Sequence, residues 1–343
     1  MTQKWGLIGF GRFGKLHAES IARAPGAELA TIAVASERSA MEAKAAYPHA
    51  EITTDWHRLV ATPDLDVVDV VSPNARHAEM AIAALENGHH VLVEKPLATT
   101  LSDCDRLVET VDRTGKLLSV GFELRLSVQW RRIKSLIDEG RIGRPRFVNV
   151  TLFRHPYRSG AGGWRHDSSA VGSWILEEPV HFYDLAMWYL ESLGDPLSVN
   201  AHGTLSEAAD KMIDNLASTI RFSGGGLACV AQTLSGFGHY LVVEVSGSEG
   251  AIRATWSAND AASTEPVFDL FVGPVGMTAP EKINLEGKSG EVFELAEQIR
   301  LTVEKFDHGQ PLIDVREGRK AVVVCLEAER SVVERREIAL KFT

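Results

Sequence analysis

The first third of the chain alternates short β-rich apolar runs with segments whose apolar residues recur at helical spacing. Strands are predicted at Trp5–Ile8, Leu29–Ala35, Val67–Val71, His90–Val93 and Leu117–Val120, with a shorter one at Glu51–Thr53. Between them, Phe13–Ala24, Ala75–Asn87 and Leu101–Thr114 carry the amphipathic repeat of helices. Strands alternating with helices imply βαβ units and a mostly parallel sheet. Gly88 and Gly115 fall just past helical segments, where a glycine commonly ends a helix.

After Gly121 the pattern changes. Val128–Glu139 predicts one more helix, stopped by Gly140. β-rich runs follow at Arg146–Phe153, Ser198–His202, Ala217–Phe222, Leu227–Thr233, Tyr240–Ser246 and Ala251–Thr255. Turn signals at Ser223-Gly224-Gly225-Gly226 and Gly247-Ser248-Glu249-Gly250 separate some of them. Such strands imply a large, mainly antiparallel sheet. Helices are predicted at Pro179–Leu193, Gly290–Phe306 and Val315–Glu334.

A length of 343 residues exceeds one ordinary core and suits two domains, divided here as 1–122 and 123–343. The composition, 45% hydrophobic and 24% charged, is that of a globular chain and excludes disorder. A net charge of −10 argues against nucleic acid or an anionic membrane as main partner. It leaves room for a small anionic ligand in a locally basic pocket. Cys104, Cys229 and Cys325 are sparse and form no metal-spaced pair, so no metal is expected and a reducing cytoplasm is. No stretch has the form of a signal peptide or membrane span.

Gly9-Phe10-Gly11-Arg12-Phe13-Gly14 matches G-x-G-x-x-G, following a predicted strand and opening a predicted helix. The first glycine permits a tight turn, the second lets backbone approach a pyrophosphate, and the third lets helix pack on strand. The helix N-terminus offers N–H groups to the phosphates. A dinucleotide-binding Rossmann domain over 1–122 is therefore expected. At the end of the second strand an Asp or Glu would select NAD by its ribose 2′-hydroxyl. Ser36 stands where that acid is expected, and Arg38 is suited to a 2′-phosphate, while Glu37 argues the other way. The balance favours NADP(H), with NAD(H) as the alternative.

Val71-Ser72-Pro73-Asn74-Ala75-Arg76-His77-Ala78 is followed by Gly88-His89-His90-Val91-Leu92-Val93-Glu94-Lys95-Pro96-Leu97. With the glycine loop, Val120-Gly121-Phe122 and the segment around His181, these motifs resemble the Gfo/Idh/MocA family of sugar and cyclitol oxidoreductases, along nearly the whole chain. The resemblance implies a Rossmann domain and a C-terminal α/β domain with an open sheet, used for substrate binding and for homodimer or homotetramer formation. It implies that Lys95 is catalytic and precedes a cis proline, Pro96. It also places Ser72, Pro73, Asn74, His77, Glu94 and Pro96 at the cofactor. Independently, Lys95 ends the fifth predicted strand, and ligands in open α/β sheets bind beyond the carboxyl ends of strands.

In Gly172-Ser173-Trp174-Ile175-Leu176-Glu177-Glu178-Pro179-Val180-His181, Pro179 suits a first helical position, with Glu178 before it. His181 then falls in the first turn, where the helix dipole favours a neutral imidazole able to act as a base. The resemblance matches His181 to a catalytic histidine, but Glu177 stands where the family usually has aspartate. Asp184 either supports the imidazole or caps and solvates the helix. Trp164 and Arg165, in a glycine-rich loop, and Glu123 and Arg125, just after Gly121-Phe122, are candidates to contact substrate. Trp164 has an alternative role in packing or an interface, and Arg125 one in a structural ion pair. His17, His49, His57, His89, His90, His202, His239 and His308 are read as structural or exposed.

The chemistry expected is hydride transfer between nicotinamide and a secondary alcohol or ketone of a sugar or cyclitol. His181 handles the hydroxyl proton and Lys95 the alkoxide charge. Two other outcomes stay open: an NAD-dependent glycosidase and a non-catalytic nucleotide-binding regulator on the same scaffold.

Overall fold

In a computed structural model describing residues 2–207, 210–276 and 278–342, the chain separates into two units. Met1–Phe122, Ser169–Gly172 and Leu295–Val322 form the first. Glu123–Ser168, Ser173–Glu294 and Val323–Thr343 form the second.

The first unit is built on β1 (Gln3–Ile8), β2 (Ala27–Ala33), β3 (Glu51–Thr53), β4 (Val67–Val70), β5 (His90–Glu94) and β6 (Leu118–Gly121). They lie in the order β3-β2-β1-β4-β5-β6, each neighbouring pair parallel. The order reverses between β1 and β4, the place where doubly wound sheets bind ligands beyond their strand ends. β4 is buried at all four positions, as a parallel sheet covered on both faces requires. Its one polar residue, Asp69, is fully buried.

Helices Arg12–Arg23, His77–Glu86 and Leu101–Thr114 lie within two residues of their predicted bounds. Thr100 caps the last of these by accepting from the Asp103 N–H, and Gly115 ends it at φ 65°. Helices Glu37–Ala46 and Trp56–Val60 escaped the periodicity. The former buries only Ala43, so its sequence has no apolar stripe to read. β2 ends two residues earlier than predicted, which bears on the cofactor below. Helix Glu291–Asp307 presents Leu295, Ile299, Val303 and Phe306 to Trp5, Ile21, Val67 and Leu92. That apolar stripe draws a segment far beyond residue 122 into the first unit's core.

The second unit contains β7 (Pro145–Arg154), β8 (Pro196–Leu205), β9 (Ile213–Phe222), β10 (Leu227–Thr233), β11 (His239–Gly247), β12 (Gly250–Ala258), β13 (Val267–Pro274), β14 (Glu281–Lys282) and β15 (Ile338–Ala339). Their order is β14-β13-β12-β11-β7-β10-β9-β8-β15. β7 and β10 run parallel and the other neighbours antiparallel, giving the mainly antiparallel sheet expected. Helix Pro179–Tyr189 is tied to β9 by the 2.9 Å bond between the Tyr183 hydroxyl and Ser218. It is tied to helix Trp130–Asp138 by Tyr189, whose hydroxyl donates to the Trp130 carbonyl at 3.0 Å. Among the described residues no helix is long and apolar enough to cross a membrane.

Candidate active site

The glycine loop follows β1 and turns into helix Arg12–Arg23. Gly9 has φ 109°, and a Cβ there would lie 2.0 Å from the Val71 carbonyl oxygen. A Cβ on Gly14 would lie 2.2 Å from the Gly9 carbonyl oxygen. These two glycines let strand, turn and helix close on one another. Gly11 differs, because a Cβ there meets nothing within 4 Å. The backbone at Gly11 is thus open to an approaching group, and a side chain would fill that opening. The helix has no side-chain cap and no acidic residue in its first turn. Its first-turn N–H groups suit a pyrophosphate. Phe10 and Phe13 pack inward, Phe10 edge-on to Tyr47 and Phe13 edge-on to His17, so what they offer the loop is backbone.

Past the end of β2 the chain runs Val34, Ala35, Ser36, with Val34 buried and no carboxylate among the three. Ser36 caps helix Glu37–Ala46, its Oγ accepting from the Ser39 N–H. Arg38 is largely exposed and pairs with Glu42 at 3.1 Å, while Lys15 meets the other Glu42 oxygen at 2.7 Å. These contacts, Lys15 first, hold the Glu42 carboxyl below its usual range.

Beyond β4 and β5 the structure brings Ser72 to Asn74 and Lys95–Pro96 together through His77. His77 Nδ1 lies 2.7 Å from the Pro96 carbonyl oxygen and Nε2 lies 2.9 Å from that of Ser72. Both ring nitrogens of the predicted cofactor contact are thus turned to backbone. Burial lowers the proton affinity of this imidazole, and the two carbonyls act against it. Asn74 is buried and donates to the Val171 carbonyl at 3.0 Å. The Lys95–Pro96 bond is cis.

Glu94 is buried and faces His17 and Gln298. Its Oε1 lies 3.3 Å from His17 Nε2 and accepts from Gln298 Nε2 at 3.3 Å. His17 Nδ1 lies 2.7 Å from Asp69. Burial works against an imidazolium here, but the two carboxylates outweigh it and push His17 up to about 10. Burial also raises Asp69, yet one imidazole facing two carboxylates keeps the proton on His17. Gly121 makes room for this group, because a Cβ there would lie 2.4 Å from Glu94 Oε1.

In the second unit Glu178 precedes helix Pro179–Tyr189, with proline in its first turn as predicted. His181, in that turn, is buried and its Nε2 lies 3.5 Å from buried Glu123. Glu177 pairs instead with Arg165 at 2.6 Å, and Arg165 lies over the Trp164 ring at 4.5 Å. Gly160, Gly162 and Gly163, all at positive φ, shape that loop. Asp184 binds Arg125 through two bonds of 2.6 and 2.7 Å. Of the two readings of Asp184, neither anticipated that partner. Glu178 pairs with Arg154 at 2.7 Å, an ion pair that nothing local in the sequence signalled.

Two family models cover most of the chain. The oxidoreductase family with an NAD-binding Rossmann fold, GFO_IDH_MocA, matches residues 3–122, and the GFO/IDH/MocA C-terminal domain matches residues 130–253. The chain belongs to the GFO/IDH/MocA family of oxidoreductases. Its first unit is accordingly an NAD-binding Rossmann domain, and the loop at Gly11 fits that cofactor. It is 26% identical over 342 residues to a myo-inositol 2-dehydrogenase of Thermotoga maritima, covering 98% of each chain. It is 30% identical to a levoglucosan dehydrogenase of Pseudarthrobacter phenanthrenivorans, covering 78% of this chain and 80% of that one. A solved levoglucosan dehydrogenase, in complex with NADH and levoglucosan, superposes with a TM-score of 0.85 over all of both chains at 23% identity, a likeness of fold.

Proposed function

We propose that this oxidoreductase oxidises a secondary alcohol of a neutral sugar or cyclitol, or reduces the matching ketone. The carrying observation is the setting of His181. Four carboxylates surround the start of its helix, and each faces a basic partner: Glu123 with His181, Glu177 with Arg165, Glu178 with Arg154, Asp184 with Arg125. An anionic substrate calls for uncompensated positive charge, whereas a polyol calls for many paired donors and acceptors. The inositol and levoglucosan dehydrogenases among its relatives support the same substrate class.

Bound nicotinamide would accept or return the hydride, held by the Gly9–Gly14 loop and by Ser72 and Pro73. His181 takes the hydroxyl proton, with Glu123 orienting the ring and favouring the imidazolium that results. Lys95 stabilises negative charge that builds on a substrate oxygen. Arg165 and Glu177 position ring hydroxyls, and Trp164 offers an apolar face. The widely spaced free cysteines, of which Cys104 and Cys325 are buried, support a cytoplasmic setting, and the exposed Phe153, Leu227 and Tyr240 of the large sheet support self-association.

The test is a screen of sugars and cyclitols with either oxidised cofactor, following reduced nicotinamide. The reading predicts cofactor reduction matched one to one by ketone. Release of free sugar with no net reduction would support the glycosidase instead, and binding without turnover the regulator.

The second part of the proposal is a preference for NADP(H). Its support is the absence of a carboxylate at residues 34–36 and the cations Arg38 and Lys15 nearby, both paired with Glu42. Glu42→Gln should release both cations and tighten NADPH binding by about three- to tenfold, with NADH nearly unchanged. Calorimetric titration of each cofactor checks this, and equal changes for both would contradict it.

A further inference from the structure

Lys95 is flanked by two residues that the fold holds from opposite sides, each through a buried histidine. On one side Glu94 lies 3.3 Å from His17, an ion-pair contact with a ring anchored on Asp69, and accepts a hydrogen bond from Gln298. On the other side the Pro96 carbonyl is held by His77, whose second nitrogen meets the Ser72 carbonyl. We propose that His17 and His77 form a bracket that positions Lys95, His17 through Glu94 and His77 through the Pro96 carbonyl. The proposal rests on the catalytic reading of Lys95 given above.

The geometry has features that a merely space-filling histidine does not need. His17 spans two acidic strand residues, Asp69 of β4 and Glu94 of β5, so it fixes one strand end against its neighbour. Glu94 Oε1 sits against Gly121 of β6, where a Cβ would lie 2.4 Å away, so its place beside His17 requires Gly121 to lack a side chain. His77 spans the loops after the same two strands, meeting acceptors at both nitrogens. The bracket therefore acts on the chain immediately before and after Lys95, leaving only the lysine side chain to respond to substrate. Displacing a catalytic group by about 1 Å costs on the order of a hundredfold in rate. The charged groups facing His77 are Glu94 and Lys95, and those facing His17 are Asp69 and Glu94.

The two ends of His77 separate positioning from structural support. His77→Asn places an amide N–H near the position of Nδ1 and retains the bond to Pro96. His77→Gln places one near Nε2 and retains the bond to Ser72 alone. The bracket predicts that His77→Gln lowers kcat by about ten- to a hundredfold and that His77→Asn recovers most of that loss. Cofactor Kd, read by fluorescence titration, should match between the two. Glu94→Asp keeps the charge but withdraws it from His17, and should likewise lower kcat at nearly constant cofactor Kd. Equal kcat for His77→Asn and His77→Gln, with Glu94→Asp like the parent, would overturn the bracket while Lys95→Ala remained inactive. Parent-like kcat in Lys95→Ala would overturn the catalytic reading itself, and the bracket with it. Thermal melting of each variant confirms that the rates belong to folded protein.

Discussion

Lys95→Ala lowers kcat by about a hundred- to a thousandfold and leaves cofactor affinity within about twofold of the parent. The expectation follows from where the residue stands. β5 ends at Glu94, so Lys95 is the first residue beyond the carboxyl end of a parallel strand. Ligands of such sheets lie there. An ammonium at a developing alkoxide stabilises the transition state more than the neutral alcohol, so its removal lowers kcat and not ground-state binding. The cofactor's phosphates would be met by the glycine loop, which this change does not touch. Lys95→Arg tests the same point differently, since a planar fork replaces a point charge and should not restore the rate. Stopped-flow measurement of a single turnover, beside fluorescence titration of NAD(P)H, separates the two quantities.

His181→Gln should lower kcat by about a hundred- to ten-thousandfold, through loss of the base. The change also leaves Glu123, buried beside it, without an imidazole partner. Taking a basic partner from a buried carboxylate costs stability, so the melting temperature should fall as well. Glu123→Gln separates these effects. It removes the charge that supports the imidazolium but keeps the volume, so it should cost less rate than His181→Gln. Raising the pH should recover part of the His181→Gln loss, because the substrate hydroxyl then needs less help to part with its proton. A pH–rate profile unchanged from the parent would remove His181 from the role of base.

Much of this was legible in the sequence wherever the physics is local. G-x-G-x-x-G needs only a strand, a turn and a helix, and Gly9 and Gly14 prove to be glycines because neighbouring carbonyls leave no room for Cβ. Pro179 marked its helix start because a first-turn proline gives up nothing there. Val267–Pro274 carried apolar residues that went unread as β13, while β14 and β15 are two-residue strands that exist only through their partners. What the sequence hid is pairing at a distance. Arg125 and Asp184 are 59 residues apart, and no spacing rule joins them. Glu177, read by position as able to hold the substrate or orient His181, pairs with Arg165, and Glu123 stands by the imidazole. Glu94 and His77 look like cofactor contacts in a motif, but the fold turns their polar atoms to His17 and to backbone carbonyls.

Hydride transfer from a ring carbon is the central claim, and isotope transfer tests it most directly. The protein would be incubated with oxidised cofactor and a cyclitol or anhydrosugar deuterated at its carbinol carbons, and the reduced cofactor collected for mass spectrometry. The account predicts one deuterium in the nicotinamide ring for each ketone formed. Reduced cofactor without deuterium, or turnover of the sugar with the cofactor left oxidised, would contradict it.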